Sequence, residues 1–386
     1  MNDLYQRRLA HVRSHMAQWG ADILVLNFGP DFLYLTGMEG PLYYTSLKGF
    51  GDWVTSVIVS QDHDPVILLH PWFNVDVDTW VPDVRVMPAD VDEAGPNHFL
   101  GSVLREFEPA GKTVAVGKMA WASTLLALEE AAPDATYIQA TNAMMDAMRS
   151  IKDEHELALM QRAAEITDVA LAETIKRMKP GITERDVAIE VEYQIRVAGG
   201  DGPSFPAGII SVGNGSDPNR HIFTRNTDLV LEPGMTVAFD FGVIYKGYCS
   251  DFGRSVFIGD PHPEALKAYE IITSGNLATM PALRDGAITP AGIADLFRNY
   301  VAEREPAFVE YYMYEGLGHA IGLEVHEEPW IKPVYTDPIR SNMVFTLEPK
   351  IWKPGVFYVR CEDVVVIGAD GARSLTHAPY EPIVIS

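Results

Sequence analysis

Four carboxylates and one imidazole, each embedded in an apolar run, constrain this chain more than any other feature. They are Asp240, Asp251, His319, Glu348 and Glu362. Their segments are VAFDFG (237–242), YCSDFGRSV (248–256), GLGHAIGLEVH (316–326), MVFTLEP (343–349) and YVRCEDVVV (358–366). Each segment reads as a strand or strand edge. One Asp or His in such a strand is ordinarily structural. Five together, where an unpaired charge is costly, call for a cation. An oxygen-rich set of this kind suits hard divalent ions and can hold two side by side.

Composition narrows the setting. The formal net charge is −23, which argues against nucleic acid or an anionic membrane surface as partner. The chain has 386 residues, enough for two domains, and 47% of them are hydrophobic, enough for a real core. The start, MNDLYQRRLA, has no apolar signal-like stretch, and no apolar run reaches ~18 residues, so no membrane span is expected. Cys249 and Cys361 are the only cysteines, too few for a disulfide framework, so a reducing cytoplasm is the expected compartment.

Along the chain, residues 1–150 alternate strand and helix signals. A helix is expected over 5–19, ended by Gly20, and strands over 22–27, 53–60, 65–70 and 114–117, with a second helix over 123–131. This pattern predicts a small α/β domain with a mixed sheet. A long amphipathic helix over 153–169 opens the second half, 151–386. There a faint internal echo appears. Thr183 opens one helix (GITERDVAIEVEYQI) and Thr289, followed by Pro290, opens another (AITPAGIADLFRNYV).

The five segments resemble the pita-bread metallohydrolases (prolidase, aminopeptidase P, methionine aminopeptidase and creatinase, family M24). The likeness is closest to the prolidase and aminopeptidase P branch and spans nearly the whole chain. DFLYLTG (31–37) is similar to a landmark of the family's N-terminal domain, and RSIKDEHELALMQRAA (149–164) to its hinge. The resemblance implies an α+β protein, with a creatinase/prolidase-like N-terminal α/β domain (1–150) and a pita-bread catalytic domain (151–386). It implies that Asp240 chelates one of two metals, that Asp251 and Glu362 bridge both, and that His319 and Glu348 bind the second. His221 and His326 match the family's two active-site histidines that are not ligands. If 358–366 is one strand, Arg360 shares a face with Glu362 and supports that bridging carboxylate, while Cys361 points away. Cys249 reads as a small buried hydrophobe.

The implied chemistry is metal-assisted amide hydrolysis. Two cations about 3.5 Å apart lower the pKa of a bridging water. Glu348 takes its proton. His221 and His326 stabilise the tetrahedral intermediate. Oxygen-rich coordination favours Mn²⁺, with Co²⁺, Fe²⁺ and Zn²⁺ as alternatives. The family also implies a homodimer in which the N-terminal domain reaches a partner's site.

Departures from the family bear on the substrate. Glu315 stands where its peptidases usually have a histidine, and would favour a cationic substrate if it faces the pocket; a surface loop position is the other reading. Lys350-Ile351-Trp352 replaces a glycine-rich stretch after Glu348, and 355–360 is longer than the usual turn. Glu327 and Glu328 read as a solvated acidic loop beside His326. Tyr314 and Trp330 bracket the His319 loop. Tyr43, Tyr44 and Trp53 form a glycine-flanked group in the N-terminal half. Such rings can cage a cation or simply fill a core. A Xaa-Pro peptidase is therefore the leading expectation. The alternatives are an ectoine hydrolase-like or dimethylsulfoniopropionate lyase-like enzyme acting on a small zwitterion, and a creatinase-like amidinohydrolase. A non-enzymatic binding protein ranks last, because the ligand set is complete.

Overall fold

A computed structural model of the chain describes residues 2–39, 51–71, 78–213, 216–221, 223–313 and 316–386. Its contacts divide it into two compact units, Met1–Arg149 and Ser150–Ser386. Tyr43, Tyr44, Tyr314 and Glu315 lie outside the described residues.

In the first unit six strands make one mixed sheet. Their spatial order is Asp83–Val86, Val66–Leu69, Ser56–Ser60, Ile23–Asn27, Thr113–Val116, Thr136–Gln139. Ile23–Asn27 runs antiparallel to Ser56–Ser60 and parallel to Thr113–Val116. It is buried along its whole length, which is why its sequence ILVLN shows no alternation. The helices Gly95–Arg105 and Ala122–Ala131 add Leu100, Leu104 and Leu128 to a core with Ile23, Val25 and Val116. The segment 53–60 is not one strand. Asp52–Val54 makes a single tight turn before Ser56–Ser60 begins. Trp53 packs against the unit's core, and its indole N–H donates to Asn97 Oδ1 at 3.3 Å.

The second unit repeats one plan twice. Helix Glu154–Ile175 pairs with Glu184–Val197, and Pro263–Thr279 pairs with Pro290–Arg304. The first pair covers a sheet of Ile383–Ile385, Ser255–Ile258, Met235–Asp240 and Gly208–Gly213. Leu171, Val187, Val191, Phe239 and Val256 form the core between them. The second pair covers Glu327–Trp330, His319–Ala320, Val344–Leu347, Asp363–Ile367 and Ala372–Ser374, with Ile272, Ile293, Phe297, Phe345 and Val365 between. Thr183 and Thr289 each open the second helix of a pair. Thr183 Oγ1 accepts from Asp186 N–H at 3.1 Å, and Thr289 Oγ1 from Gly292 N–H at 3.0 Å. The echo in the sequence is thus a repeated structural unit. The opening helix is also longer than 153–169, because Asp153 and Glu156 close a reciprocal cap at its start and helical packing continues to Ile175.

Three of the expected strands break, and two of them break at the residue of interest. Segment 248–256 divides into Tyr248–Cys249 and Ser255–Ile258, leaving Asp251 between. Segment 358–366 divides into Phe357–Arg360 and Asp363–Ile367, leaving Glu362 between. Only His319–Ala320 of 316–326 is strand at that end. The two breaks pair with each other: Glu362 N–H donates to Gly253 O at 2.7 Å. That bridge carries the second ladder across to the first and brings Glu362 toward Asp251.

Candidate metal centre

Asp240 ends the strand Met235–Asp240, and an isolated bridge between Phe241 and Phe252 sets Asp251 beside it. His319 is held by backbone geometry. Gly318 has φ 157°, and a Cβ there would sit 2.1 Å from Thr346 O, so only glycine lets the chain pass so close. His319 N–H donates to Thr346 Oγ1 at 3.1 Å. Its Nδ1 lies 3.0 Å from Ala320 O, an acceptor only, so Nδ1 carries a hydrogen toward it. Nε2 faces Asp251 Oδ2 and Glu348 Oε1, each at 3.5 Å. Glu348 follows Val344–Leu347 and is fixed by its N–H donating to Leu317 O at 2.8 Å.

The five residues therefore converge, and all are buried. Three overlapping groups have ligand atoms within 4.8 Å of one another: Asp240, Asp251 and Glu362; His319, Glu348 and Glu362; and Asp251, His319 and His326. Asp251 Oδ1 and Glu362 Oε1 are buried with no hydrogen-bond partner. Two orphaned carboxylate oxygens in a set of hard donors fit a divalent cation. Electrostatics agree. Burial, then the neighbouring Asp240 and Glu348, push the Asp251 carboxyl well above the usual range. Burial does the same to Glu362, with Asp251, Glu348 and Asp240 adding to it against the pull of Arg360. Glu348 goes the other way. Burial would raise it, but Lys350 and Arg360 outweigh burial and hold it at about 2.

Three cations meet these acids. Arg360 reaches Asp240 Oδ2 at 2.5 Å and Glu348 Oε2 at 3.1 Å, and also donates to Glu362. It passes where Gly253 has no side chain; a Cβ there would lie 2.6 Å from Arg360 Nε. Cys361 turns the opposite way, toward Asn276, so the alternation expected around Glu362 is kept locally. Lys350 Nζ bonds to Glu348 and to Gly316 O, the latter at 2.9 Å. Arg225 Nη1 lies 2.7 Å from Asp240 Oδ2. It crosses Gly208, which faces Asp240 in register and whose absent Cβ would sit 2.6 Å from Nη1.

A cavity of about 370 Å³ opens onto this cluster, a size suited to a small ligand. Phe205, Ile210, Phe223, Met313 and Trp330 supply its apolar wall, and Arg225, Lys350 and Arg360 line it together with Asp240, Asp251 and Glu348. Trp330, expected to contact substrate, is thus part of the cavity wall. His326 stacks on Trp330 with centroids 5.2 Å apart and meets the His319 ring edge-on at 4.4 Å. Burial, then His319, push its pKa down, so it is neutral near pH 7.

Other expectations need correction. His221 does not line this cavity. It is exposed, its Nδ1 accepts from Phe223 N–H at 3.2 Å, and its ring lies 5.2 Å from that of Phe223. Its neighbour Arg220 is drawn to the buried Glu184 at 2.7 Å, while Phe223, itself largely exposed, and Arg225 line the cavity instead. Glu327 is not solvated. It is buried and paired with Lys152 at 3.0 Å. Arg225 was missed altogether. Its only signal is Gly208, which becomes readable once the register with Asp240 is known. Glu315, on which the expectation of a cationic substrate rested, lies outside the described residues; the described lining sets three cations against three carboxylates.

The model of metallopeptidase family M24 matches residues 158–369. An uncharacterized peptidase of Bacillus subtilis, YqhT, is 33% identical over 241 residues, covering 62% of this chain and 66% of that protein. A Xaa-Pro dipeptidase of Pyrococcus horikoshii is 34% identical over 236 residues, covering 61% and 65%. These matches span just under two thirds of the relatives' length. A prolidase structure from Thermococcus sibiricus superposes with a TM-score of 0.82 at 27% identity, covering 99% of this chain and 99% of that one.

Proposed function

The chain belongs to metallopeptidase family M24, and on that premise we propose that it hydrolyses Xaa-Pro peptide bonds with two divalent cations held by Asp240, Asp251, His319, Glu348 and Glu362. The observation that carries the metal site is the pair of buried, unpartnered oxygens, Asp251 Oδ1 and Glu362 Oε1, inside the converging set. The oxygen-rich donors favour Mn²⁺, then Co²⁺, Fe²⁺ or Zn²⁺. The Xaa-Pro specificity draws on the relative named as a Xaa-Pro dipeptidase.

Bound cations supply Lewis acidity toward the amide carbonyl and a water that ionises near neutral pH. The residues around them do the rest. Arg360 holds Glu348 Oε2 and leaves Oε1 toward His319 Nε2, where it accepts the proton of the attacking water. His326, neutral and braced by Trp330, donates its N–H to the oxygen that gains charge. The apolar wall of Phe205, Phe223 and Trp330 receives the proline ring. Arg225 and Lys350 offer partners for the free carboxylate of a dipeptide. Nothing in the described lining favours a cationic zwitterion over that substrate. A homodimer belongs to the same proposal, and light scattering decides it.

The test compares Mn²⁺-loaded protein on a Xaa-Pro dipeptide, on the same dipeptide with its C-terminus amidated, and on a longer Xaa-Pro peptide. The free dipeptide should be cleaved best, and the amide should lose mainly through a higher KM. Failure to cleave any of the three would overturn the peptidase reading.

A further inference from the structure

Two of the three cations around the ligand set differ in kind from the third. Arg360 touches Asp240, Glu348 and Glu362 together and is wedged beneath Gly253, so it is fixed in place. Lys350 and Arg225 each hold one ligand residue, Glu348 and Asp240 respectively, and both line the cavity. Neither is gripped as Arg360 is. Lys350 opens the strand Lys350–Lys353 directly opposite Arg360, and its flexible stem needs only Gly316 O as a second anchor. Arg225 lies over the gap left by Gly208, with its guanidinium 5.5 Å from the Phe223 ring and a quarter of its side chain open to solvent (26%).

An ammonium on Glu348 and a divalent cation on Glu348 are alternatives: both want the same carboxylate, and each repels the other. The same holds for the guanidinium on Asp240. We infer that Lys350 and Arg225 are tethered counter-ions that compete with divalent metal for Glu348 and Asp240 and are displaced into the cavity when metal binds. Without metal they keep buried carboxylates paired, which lets the folded protein persist. With metal bound, the displaced cations stand in the cavity wall. The cost of this arrangement is weaker metal affinity than the donor set alone would give.

The inference rests on the metal site proposed above, and one experiment separates the two. Protein stripped with chelator is titrated calorimetrically with Mn²⁺ as the parent, Lys350→Met, Lys350→Gln and Arg225→Met. Each is also melted in EDTA. Lys350→Met and Lys350→Gln should bind Mn²⁺ at least ~10-fold more tightly than the parent, because one opposing charge is gone. Both should melt lower in EDTA, because Glu348 has lost a partner. Arg225→Met should shift both quantities the same way by less, since its charge is partly screened by solvent. It also keeps the test alive should the buried Lys350 variants fail to fold. A parent that binds Mn²⁺ while the folded variants bind it equally or more weakly would overturn the counter-ion role and leave the metal site standing. A parent that binds no Mn²⁺ would overturn both.

Discussion

At the scale of single residues, the five residues that converge were readable because each violates its surroundings. An acid in VAFDFG or YVRCEDVVV has no reason to be there unless something pairs with it. Arg225 and Lys350 were not readable as partners, because their contacts depend on strand register and on a loop anchored elsewhere. The site makes a prediction that separates stability from function. Asp251 is an acid whose ionisation is opposed by burial and by Asp240 and Glu348. Its folded-state pKa is raised, so at neutral pH it costs stability that a neutral isostere does not. Asp251→Asn should therefore melt as high as the parent or a few degrees higher in EDTA. The same variant should bind less than one equivalent of Mn²⁺ and lose activity, because it removes a ligand that the proposed site shares between two cations. A melting point well below the parent's would mean that the carboxylate is already stabilised by other groups. His326→Gln makes the complementary case. Metal content should stay at the parent level while kcat falls by ~10²-fold, since its proposed role is to donate to the reacting oxygen. Loss of metal in that variant would make His326 a ligand, as its distance to Asp251 and His319 permits.

At the scale of elements, the apolar runs showed where ladders lie but not where they stop. YCSDFGRSV and YVRCEDVVV look continuous, yet Asp251 and Glu362 sit in their breaks, where the backbone turns one ladder onto another. Helix starts were better marked, since Thr183 and Thr289 carry local capping chemistry that needs no tertiary partner. Glu184, the next residue after Thr183, does work that only the folded chain reveals. It is fully buried and accepts from Arg220, from Ser211 N–H at 2.6 Å, and from Thr227 N–H at 3.0 Å. It thereby fixes both ends of the loop that carries Phe223 and Arg225. Burial pushes its pKa up, but the hydrogen bonds from Arg220, Ser211 and Thr227 outweigh burial and hold it below the ordinary value of 4.5. A depressed carboxylate stabilises above its unfolded pKa and loses that contribution as pH falls through the folded one. Glu184→Gln should thus cost about 1–3 kcal/mol at pH 7. The gap from the parent should shrink as pH drops below 4.5. Denaturant titrations at pH 7 and pH 4 measure it. At neutral pH the variant should also raise KM more than it lowers kcat, because the cavity wall loosens while the ligands stay. A gap that is constant across pH would remove the charge from this account.

At the scale of the whole molecule, the dominant fact is the net charge of −23, from 30 basic and 53 acidic residues. The centre neutralises little of this, since it brings its own cations. The excess therefore lies elsewhere and repels itself in the compact state. Exposed pairs such as Arg185 with Asp228 and Arg162 with Glu165 act against that repulsion, but solvent screens them and each contributes little. Salt weakens both effects. Repulsion among many like charges spread over the surface has the longer range and is screened first. Raising sodium chloride from about 0.01 M to about 1 M shortens the screening length from roughly 30 Å to roughly 3 Å. Calorimetric melting of the metal-free protein in EDTA should accordingly rise across that range, most steeply at its low end. Mn²⁺ should lessen the salt dependence, because bound dications lower the net negative charge of the whole molecule. A melting temperature that falls with salt would show that the surface ion pairs outweigh the repulsion, and that the acidic surface is already balanced locally.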